Sequence, residues 1–348
     1  MPVTRIDIVS FLALAGQHPV LDVRSPGEYY HAHIPGAISF PLFSDEERKI
    51  VGTTYKQQSR EEAIKIGLDF FGPTMKDRIV AAEKIANGTK TLLVHCWRGG
   101  MRSGAIAWLL DLYGFKIYTL AGGYKAYRNW VLSSFKKEWP IAIIGGYTGS
   151  GKTELLQSLE KEGERVIDLE TIASHKGSAF GSIGMPPQPG QEQFENNLAT
   201  QLANFDSSLG NTQVLWMEDE SQRIGLVNIP GDLWSTMRRS PVYFLDIPFE
   251  KRLEHIVEEY GVLDKQKLMD SIDRITKKLG HLQAQQAKDF LAAGNINACF
   301  EILLRYYDKL YEKSLHNREG LKELLIRVSA EETGAHNKEL LLNTEKNK

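Results

Sequence analysis

The chain has 348 residues, 42% hydrophobic and 25% charged, with a formal net charge of −2. That length suits two domains with a core each, no apolar run approaches the ~18 residues of a membrane span, and the charge gives no global attraction to nucleic acid, so RNA contact needs a local basic face. Only two cysteines occur, Cys96 and Cys299; they exclude a disulfide framework and a cysteine-rich zinc site, and a reducing, cytoplasmic location is expected.

The N-terminal stretch lacks a basic leader and reads as a first helix, not a signal peptide. Val20–Val23 is a short strand at the head of LDVRSPGEYYHAHIPGAISFPL, whose Pro and Gly residues mark turns. Asp45–Lys49 reads as solvated charge, and residues 59–71 and 74–87 as helices. Thr91–Val94 is a buried strand, Ser103–Tyr113 a helix and Lys116–Leu120 a strand, followed by a glycine turn and a helix. A boundary falls near Lys136–Pro140. Beyond it come strands at Ile141–Ile144, Arg165–Leu169, Val214–Met217 and Val242–Leu245, then helices to about Asn317 and a polar, frayed end. Strands alternating with helices imply parallel α/β sheets. The expected division is 1–136, 137–330 with a helical extension, and a polar tail over 331–348.

Two loops carry chemistry. The first is HCWRGGMRS, residues 95–103, where a strand ends in Cys96. Gly99 and Gly100 permit a tight turn, so the loop of Trp97, Arg98, Gly99, Gly100 and Met101 can aim backbone N–H groups at the sulfur. Arg102 supplies a charged fork and Ser103 a hydroxyl at a helix start. These groups lower a thiol pKa, which makes Cys96 a nucleophilic thiolate near neutral pH. The second loop, GYTGSGKT, spans Gly146, Tyr147, Thr148, Gly149, Ser150, Gly151, Lys152 and Thr153 between a buried strand and a helix. That is the context in which G-x-x-x-x-G-K-T wraps phosphate, with Lys152 on phosphate oxygens and Thr153 able to hold Mg²⁺. Glu218, Asp219 and Glu220 follow the third strand and are candidate Mg²⁺ or substrate ligands. His175, Lys176 and Ser178 lie on a long turn-rich segment that reads as a lid or a plain surface loop. Arg223, Arg238 and Arg239 sit near strand ends where phosphates could be met.

Residues LDVRSPGEYYHAHIPGAISFPL, HCWRGGMRSGAIAWLL and LAGGYKAY together resemble a rhodanese domain. That resemblance implies a cysteine that carries persulfide sulfur, and Asp22 and Arg24 match the family's bracing pair near the loop. One departure is informative. Arg102 stands six residues after Cys96, where common rhodanese loops place it five after. Cys-x5-Arg followed by Ser is the spacing of protein tyrosine phosphatases and of rhodanese-like dual-specificity phosphatases. The wider loop would hold a tetrahedral anion, so Cys96 could attack a phosphorus compound or a chalcogen bound to phosphorus. A phosphatase also needs a general acid, for which Asp45 and Glu46 are the candidates.

A rhodanese-like domain followed by a P-loop NTPase-like parallel α/β domain resembles the bacterial tRNA 2-selenouridine synthase family. The likeness extends to EERKIVGTTYKQQSREEAIKIG, DLETIASHKGSAFG and MEDESQRIG. It implies S-geranylation of the wobble 2-thiouridine of tRNA by geranyl diphosphate, then replacement of the geranylthio group by selenium from selenophosphate. On that reading Cys96 carries the chalcogen as a Cys–S–Se species, and no tightly bound cofactor is needed. The anticodon arm of tRNA is the macromolecular partner, with Lys136, Lys137, Arg238 and Arg239 as a phosphate-contacting patch and no membrane involved. Trp216, Trp234, Phe180 and Met185 are candidate walls for the geranyl chain. Two other classes stay open: a phosphatase or arsenate-reductase-like enzyme using Cys96 alone, and a P-loop kinase with a regulatory rhodanese module.

Overall fold

The structure, a computed structural model, describes residues 3–206 and 214–346. It divides into two compact units, Met1–Ser134 and Phe135–Lys348. Unit 1 contains β1 (Thr4–Ile6), β2 (Val20–Asp22), β3 (Ile38–Ser39), β4 (Thr91–His95) and β5 (Lys116–Leu120). They form one parallel sheet in the order β1-β5-β4-β2-β3. β4, TLLVH, is buried from Leu92 onward, as a central parallel strand covered on both faces must be. It therefore delivers Cys96 to the carboxyl edge at the middle of the sheet, where open α/β sheets place ligands. The core around it joins Leu21, Val23, Leu92 and Val94 to Ile106 and Leu110 of the Met101–Tyr113 helix.

Asp45–Lys49, expected as a solvated stretch, is largely exposed and forms the first turn and a half of a helix, Asp45–Gln57. Ser44 accepts from Glu47 N and Glu47 accepts from Ser44 N, a capping box that the charge run concealed. The helices expected over 59–71 and 74–87 form as Arg60–Phe71 and Met75–Ala86.

Unit 2 contains β6 (Ile141–Gly146), β7 (Arg165–Ile167), β8 (Leu215–Glu218), a hairpin of β9 (Arg223–Ile224) and β10 (Val227–Asn228), β11 (Val242–Asp246) and β12 (Leu325–Ser329). The main sheet is parallel, in the order β12-β11-β6-β8-β7. β6 lies in its centre and its loop opens at the topological switch point. Helices Phe249–Tyr260, Lys265–Leu279, His281–Ala292 and Ile296–His316 pack around Leu268, Ile272, Leu291 and Leu303.

Two features of unit 2 depart from expectation. Leu325–Ser329 forms edge strand β12, in full register with β11. The tail expected over 331–348 is ordered through residue 346, and residues 347–348 lie outside the described residues. A helix, Lys338–Lys346, buries Leu341 completely against the core that includes Leu155 and Leu159. A single buried leucine in a polar segment shows too little periodicity to be read from sequence.

His95 ends β4 with no solvent exposure, edge-on to Phe11 and stacked against Tyr124. Burial pushes its pKa down from 6.5 to about 4, against the pull of Asp22 3.6 Å away. The folded state therefore keeps His95 neutral while the unfolded chain protonates it near 6.5. Stability is full above the unfolded value and falls as pH drops towards the folded one, by up to about 3 kcal/mol. The urea midpoint of unit 1 should fall between pH 7 and 5, and His95→Gln should remove that contribution to the slope whatever its baseline stability. An equal slope in wild type and variant would show that His95 does not control it.

Candidate active site

Cys96 is almost fully buried at the end of β4. Its Sγ lies 3.2 Å from Ser103 Oγ and accepts from the Gly100 N–H at 3.4 Å. Burial opposes ionisation, but the Ser103 hydroxyl, the Gly100 and Ser103 N–H groups and the Arg102 charge outweigh it and hold the thiol below its ordinary pKa. Cys299 has no such donors; burial pushes its thiol up to about 11. Of the two cysteines, Cys96 has the nucleophile's environment.

The loop is held from outside. The Tyr124 N–H donates to the Cys96 carbonyl at 2.8 Å and the Lys125 N–H to the Trp97 carbonyl at 3.0 Å. Gly123, in the left-handed region at φ 60°, approaches so closely that a Cβ there would strike the Cys96 oxygen and the Gly99 nitrogen. The expected bracing pair is present below. Arg24 Nε and Nη2 donate to both oxygens of Asp22, and Nη2 also reaches the Ala32 carbonyl at 2.7 Å. The guanidinium lies 3.8 Å from the centre of the Tyr124 ring. Burial would raise the Asp22 carboxyl, yet His95 and the Arg24 fork hold it below the usual range. A buried pair of this kind fixes geometry, since losing one partner strands the other charge.

Arg102 donates to Glu28, Nη1 to Oε2 at 2.6 Å, so the fork is anchored on a carboxylate. Arg48 Nε lies 3.6 Å from the same Glu28 oxygen. Glu28 was missed by sequence reading; its one signal was Ser25-x-x-Glu28, the capping-box spacing at the start of the Pro26–His31 helix. These residues, with Trp97, Lys49 and Asp45, line a cleft of about 590 Å³. Both Asp45 oxygens accept from the Gly27 N–H at 3.0 Å, and Glu46 is exposed on the outer face of its helix. Of the two general-acid candidates, Asp45 lines the cleft and Glu46 does not. Arg98 and Met101 are exposed on the loop.

In unit 2 the loop after β6 has Gly146, Gly149 and Gly151 at positive φ. A Cβ on Gly149 would meet Ile256 and the Arg252 carbonyl, and one on Gly151 the backbone of Gly334. The helical extension and the C-terminal segment therefore brace this loop. Arg252 Nη1 donates to the Thr148 carbonyl at 3.1 Å while pairing with both Asp308 oxygens at 2.8 Å. The Gly146 N–H donates to Tyr311 Oη, which donates to Asp219 at 2.8 Å; Arg318 reaches Asp219 from the other side at 2.7 Å. Lys152 Nζ donates to the Gly146 carbonyl at 3.1 Å. Sequence reading missed Arg252, Tyr311 and Arg318, which are distant in the chain.

The loop opens into a cleft of about 550 Å³ lined by Lys152, Thr153, Glu170, Lys176, Glu218 and Glu220, among others. Thr153 Oγ1 lies 3.3 Å from Glu170 Oε2, and the Glu170 N–H donates to Glu218 at 2.9 Å. Burial first, then neighbouring carboxylates (Asp168 and Glu170 for Glu218, Glu170 and Glu218 for Glu220), pushes both well above the carboxylate range. Burial also raises Glu170, opposed by Lys152. Asp219, a candidate Mg²⁺ or substrate ligand with its neighbours, lines the same cleft while accepting from Tyr311 and Arg318. Among the described residues no group of three or more His, Cys, Asp or Glu is arranged to hold a metal ion.

The other candidates separate. Lys176 lines the cleft and pairs with Glu259, and Met185 and Ser178 line it too. His175 is buried instead, its ring against Gly181 and Gly225, and burial lowers its pKa. Arg223 turns to the Gly225 carbonyl in the β9–β10 hairpin, outside the cleft. Trp216 is core, packed on Tyr243, and Trp234 carries Arg238 on its ring. Phe180 borders a narrow apolar recess of about 20 Å³ beside the loop, with Tyr260, Phe300, Leu303 and Tyr307. Lys136 and Lys137 are exposed, and Arg239 lies 3.6 Å from Glu138, which brings the two basic segments together. Arg238 is less available, since its Nη2 donates to the Ser314 carbonyl at 3.2 Å.

A thiolate loop on a rhodanese-like sheet and a phosphate loop on a parallel P-loop sheet, in one chain, define a two-domain group-transfer enzyme. Residues 10–129 match the rhodanese-like domain family, and residues 139–340 match the tRNA 2-selenouridine synthase AAA domain family. The chain is 34% identical over 343 residues to the tRNA 2-selenouridine synthase of Bdellovibrio bacteriovorus, covering 86% of this chain and 89% of that protein. It is 33% identical to that of a Sulfurovum species, covering 92% and 94%, and 35% identical to that of Pseudomonas syringae pv. syringae, covering 79% of each. The chain belongs to the tRNA 2-selenouridine synthase family, a family of enzymes.

The thiol environment makes a directional prediction. Ser103→Ala removes a donor to the thiolate and should raise the pH midpoint of Cys96 alkylation by iodoacetamide. Glu28→Gln leaves the Arg102 charge uncompensated near the sulfur and should lower it. Midpoints that coincide with wild type in both variants would show that neither group tunes the thiol.

Proposed function

We propose that this protein forms 2-selenouridine at the wobble position of tRNA in two steps, geranylation and then selenium exchange. The observation that carries the reading is the coexistence of a pKa-lowered thiol in an anion-stabilising loop with a braced phosphate loop, in a chain of this family. In the first step the 2-thiouridine sulfur attacks the allylic carbon of geranyl diphosphate. A C–S bond forms, the C–O bond breaks, diphosphate leaves and the base loses its N3 proton. The N–H groups of Gly149 and Gly151 and the Lys152 ammonium would stabilise the charge on departing diphosphate. The apolar recess beside the loop, about 20 Å³, is too small for a geranyl chain, so the geranyl assignment rests on the family and the phosphate loop.

In the second step Cys96 would work on selenophosphate. Attack on selenium gives a Cys–S–Se carrier and phosphite, and a reductant must later split the S–Se bond. Attack on phosphorus forms Cys–S–PO₃, breaks the P–Se bond and releases selenide with no change of oxidation state. Selenide then adds to C2 of the base, geranylthiolate leaves, and water hydrolyses the phosphocysteine to phosphate and thiolate. We favour the redox-neutral route, which needs no co-reactant beyond water. Prior alkylation turns a poor sulfur leaving group into a better one and makes C2 electrophilic. The basic segments Lys136–Lys137 and Arg238–Arg239 are proposed contacts for tRNA phosphates, and a cytoplasmic location suits a free thiolate.

Cys96→Ala should abolish selenouridine while geranylated tRNA accumulates, read by mass spectrometry of tRNA nucleosides. Selenouridine at wild-type levels in that variant would sink the assignment of the thiol. Lys152→Ala should slow geranyl transfer by roughly 10²- to 10³-fold, the loss typical of one preorganised electrostatic group. Unchanged geranylation kinetics would assign the phosphate loop to another ligand.

A further inference from the structure

We infer that the cleft beside Cys96 seats one extruded pyrimidine nucleotide of the RNA, with the base stacked on Trp97 and flanking phosphates on Arg48 and Lys49. The inference rests on the reading that Cys96 acts on tRNA, and it identifies which residues receive the reacting nucleotide.

Trp97 follows the nucleophile directly in sequence, yet its side chain is 38% exposed. An indole is costly to leave in water, and a core role would have covered it. It is nevertheless held firmly. The ring leans on the fully buried Tyr124, centroids 5.6 Å apart at 39°. Its backbone carbonyl accepts from the Lys125 N–H at 3.0 Å. The Gly123 backbone closes against the same loop and prevents it from folding inward. The sequence thus builds a rigid aromatic platform one residue from the sulfur.

The space in front of that platform fits a nucleotide. The cleft holds about 590 Å³, within the size range of small-ligand pockets. Trp97 and Arg102 line its inner side, and Arg48 and Lys49 line it from the Asp45–Gln57 helix. Arg48 is half exposed, with only a 3.6 Å approach to Glu28, so its charge remains accessible. Arg48, Lys49 and Arg102 together outnumber Glu28 and Asp45, giving an excess of positive charge suited to phosphate. A base stacked between its neighbours cannot enter a cleft of this kind; it must first leave the stack. Unstacked RNA bases are held on aromatic faces and their backbones by cations. The same chemistry explains why an indole is kept exposed at this position.

The test uses the full chain and a labelled anticodon stem–loop RNA with 2-thiouridine at the wobble position. Fluorescence anisotropy gives Kd for wild type, Trp97→Ala, Trp97→Phe, Trp97→Leu and the Arg48→Gln/Lys49→Gln double variant. Trp97→Ala should weaken binding by about 10- to 100-fold and Trp97→Phe by only a few fold, because a stacking face is what counts. Trp97→Leu keeps apolar bulk without a π-face and should bind as weakly as Trp97→Ala. The double variant should reduce the salt dependence of binding and weaken thiolated and unmodified RNA alike. The pH profile of Cys96 alkylation reports on the loop in each variant. Should Trp97→Ala lose that profile, the comparison of Trp97→Leu with Trp97→Phe decides. Equal Kd for Leu, Phe and wild type overturns the inference, as does a shift in alkylation profile with no change in RNA affinity, which would make Trp97 a shield for the thiol. The two readings fail separately. A wild-type protein that makes no selenouridine but loses RNA on Trp97→Ala keeps the nucleotide seat and drops the reaction. A wild-type protein that makes selenouridine with Trp97→Leu fully active keeps the reaction and drops the seat.

Discussion

Both chemical loops of this protein face one constraint: a loop that turns its N–H groups inward on an anion cannot use those donors to hold itself. The shape must be imposed by other parts of the chain. In unit 1 this is done by backbone packed on backbone, with Gly123 closing on the loop from Cys96 to Gly99 and the Tyr124 and Lys125 N–H groups taking its carbonyls. In unit 2 Gly149 rests on Arg252 and Gly151 on Gly334, while Tyr311 takes the Gly146 N–H. At each contact a methyl group would be too large. The glycines are therefore required twice over, by positive φ and by the close approach of the brace. The same constraint accounts for the buried ion pairs. Asp22–Arg24, Asp219–Arg318 and Arg252–Asp308 each lie directly behind a loop. Such pairs are weak evidence for net stability, but removing one partner is costly, so each locks a geometry.

The two clefts use opposite electrostatics. Around Cys96 cations exceed carboxylates, and the donors on the sulfur favour the charged thiolate. Around the phosphate loop three carboxylates crowd together, and burial and like charge drive their pKa values up. The net charge of −2 is the residue of these local fields. Whole-chain charge therefore says little about either site.

What could be read from sequence was local. Cys96 at a strand end, the Gly-Gly pair after it and the phosphate loop between strand and helix are contiguous patterns, and their backbone geometry follows from residue type. What could not be read was supplied by distant segments. Glu28 lies 74 residues from Arg102, and Tyr311 lies 165 from Gly146. No pattern over a short window links such pairs. Glu218, Asp219 and Glu220 do line one cleft; no short-window pattern shows that Tyr311 and Arg318, distant in the chain, hold the Asp219 carboxylate. Strand β12 and the last helix were missed because each buries too little to leave a periodic trace: Val328 in one, Leu341 in the other.

The contrast between the two cysteines shows what the architecture around Cys96 adds. Both thiols are buried, and burial alone raises a thiol pKa, as it does for Cys299 among Phe300, Leu303 and Leu291. At Cys96 the same desolvation is present and is reversed by a hydroxyl, backbone donors and one guanidinium. Low dielectric strengthens each of these interactions once the donors are fixed, so burial helps a preorganised loop and harms an unorganised one. A more exposed cysteine would ionise with less help but would leave its donors competing with water. Reactivity in this fold is therefore a property of the brace. The Gly122–Lys125 segment holds the loop through the Cys96 and Trp97 carbonyls, and so positions the donors that touch the sulfur.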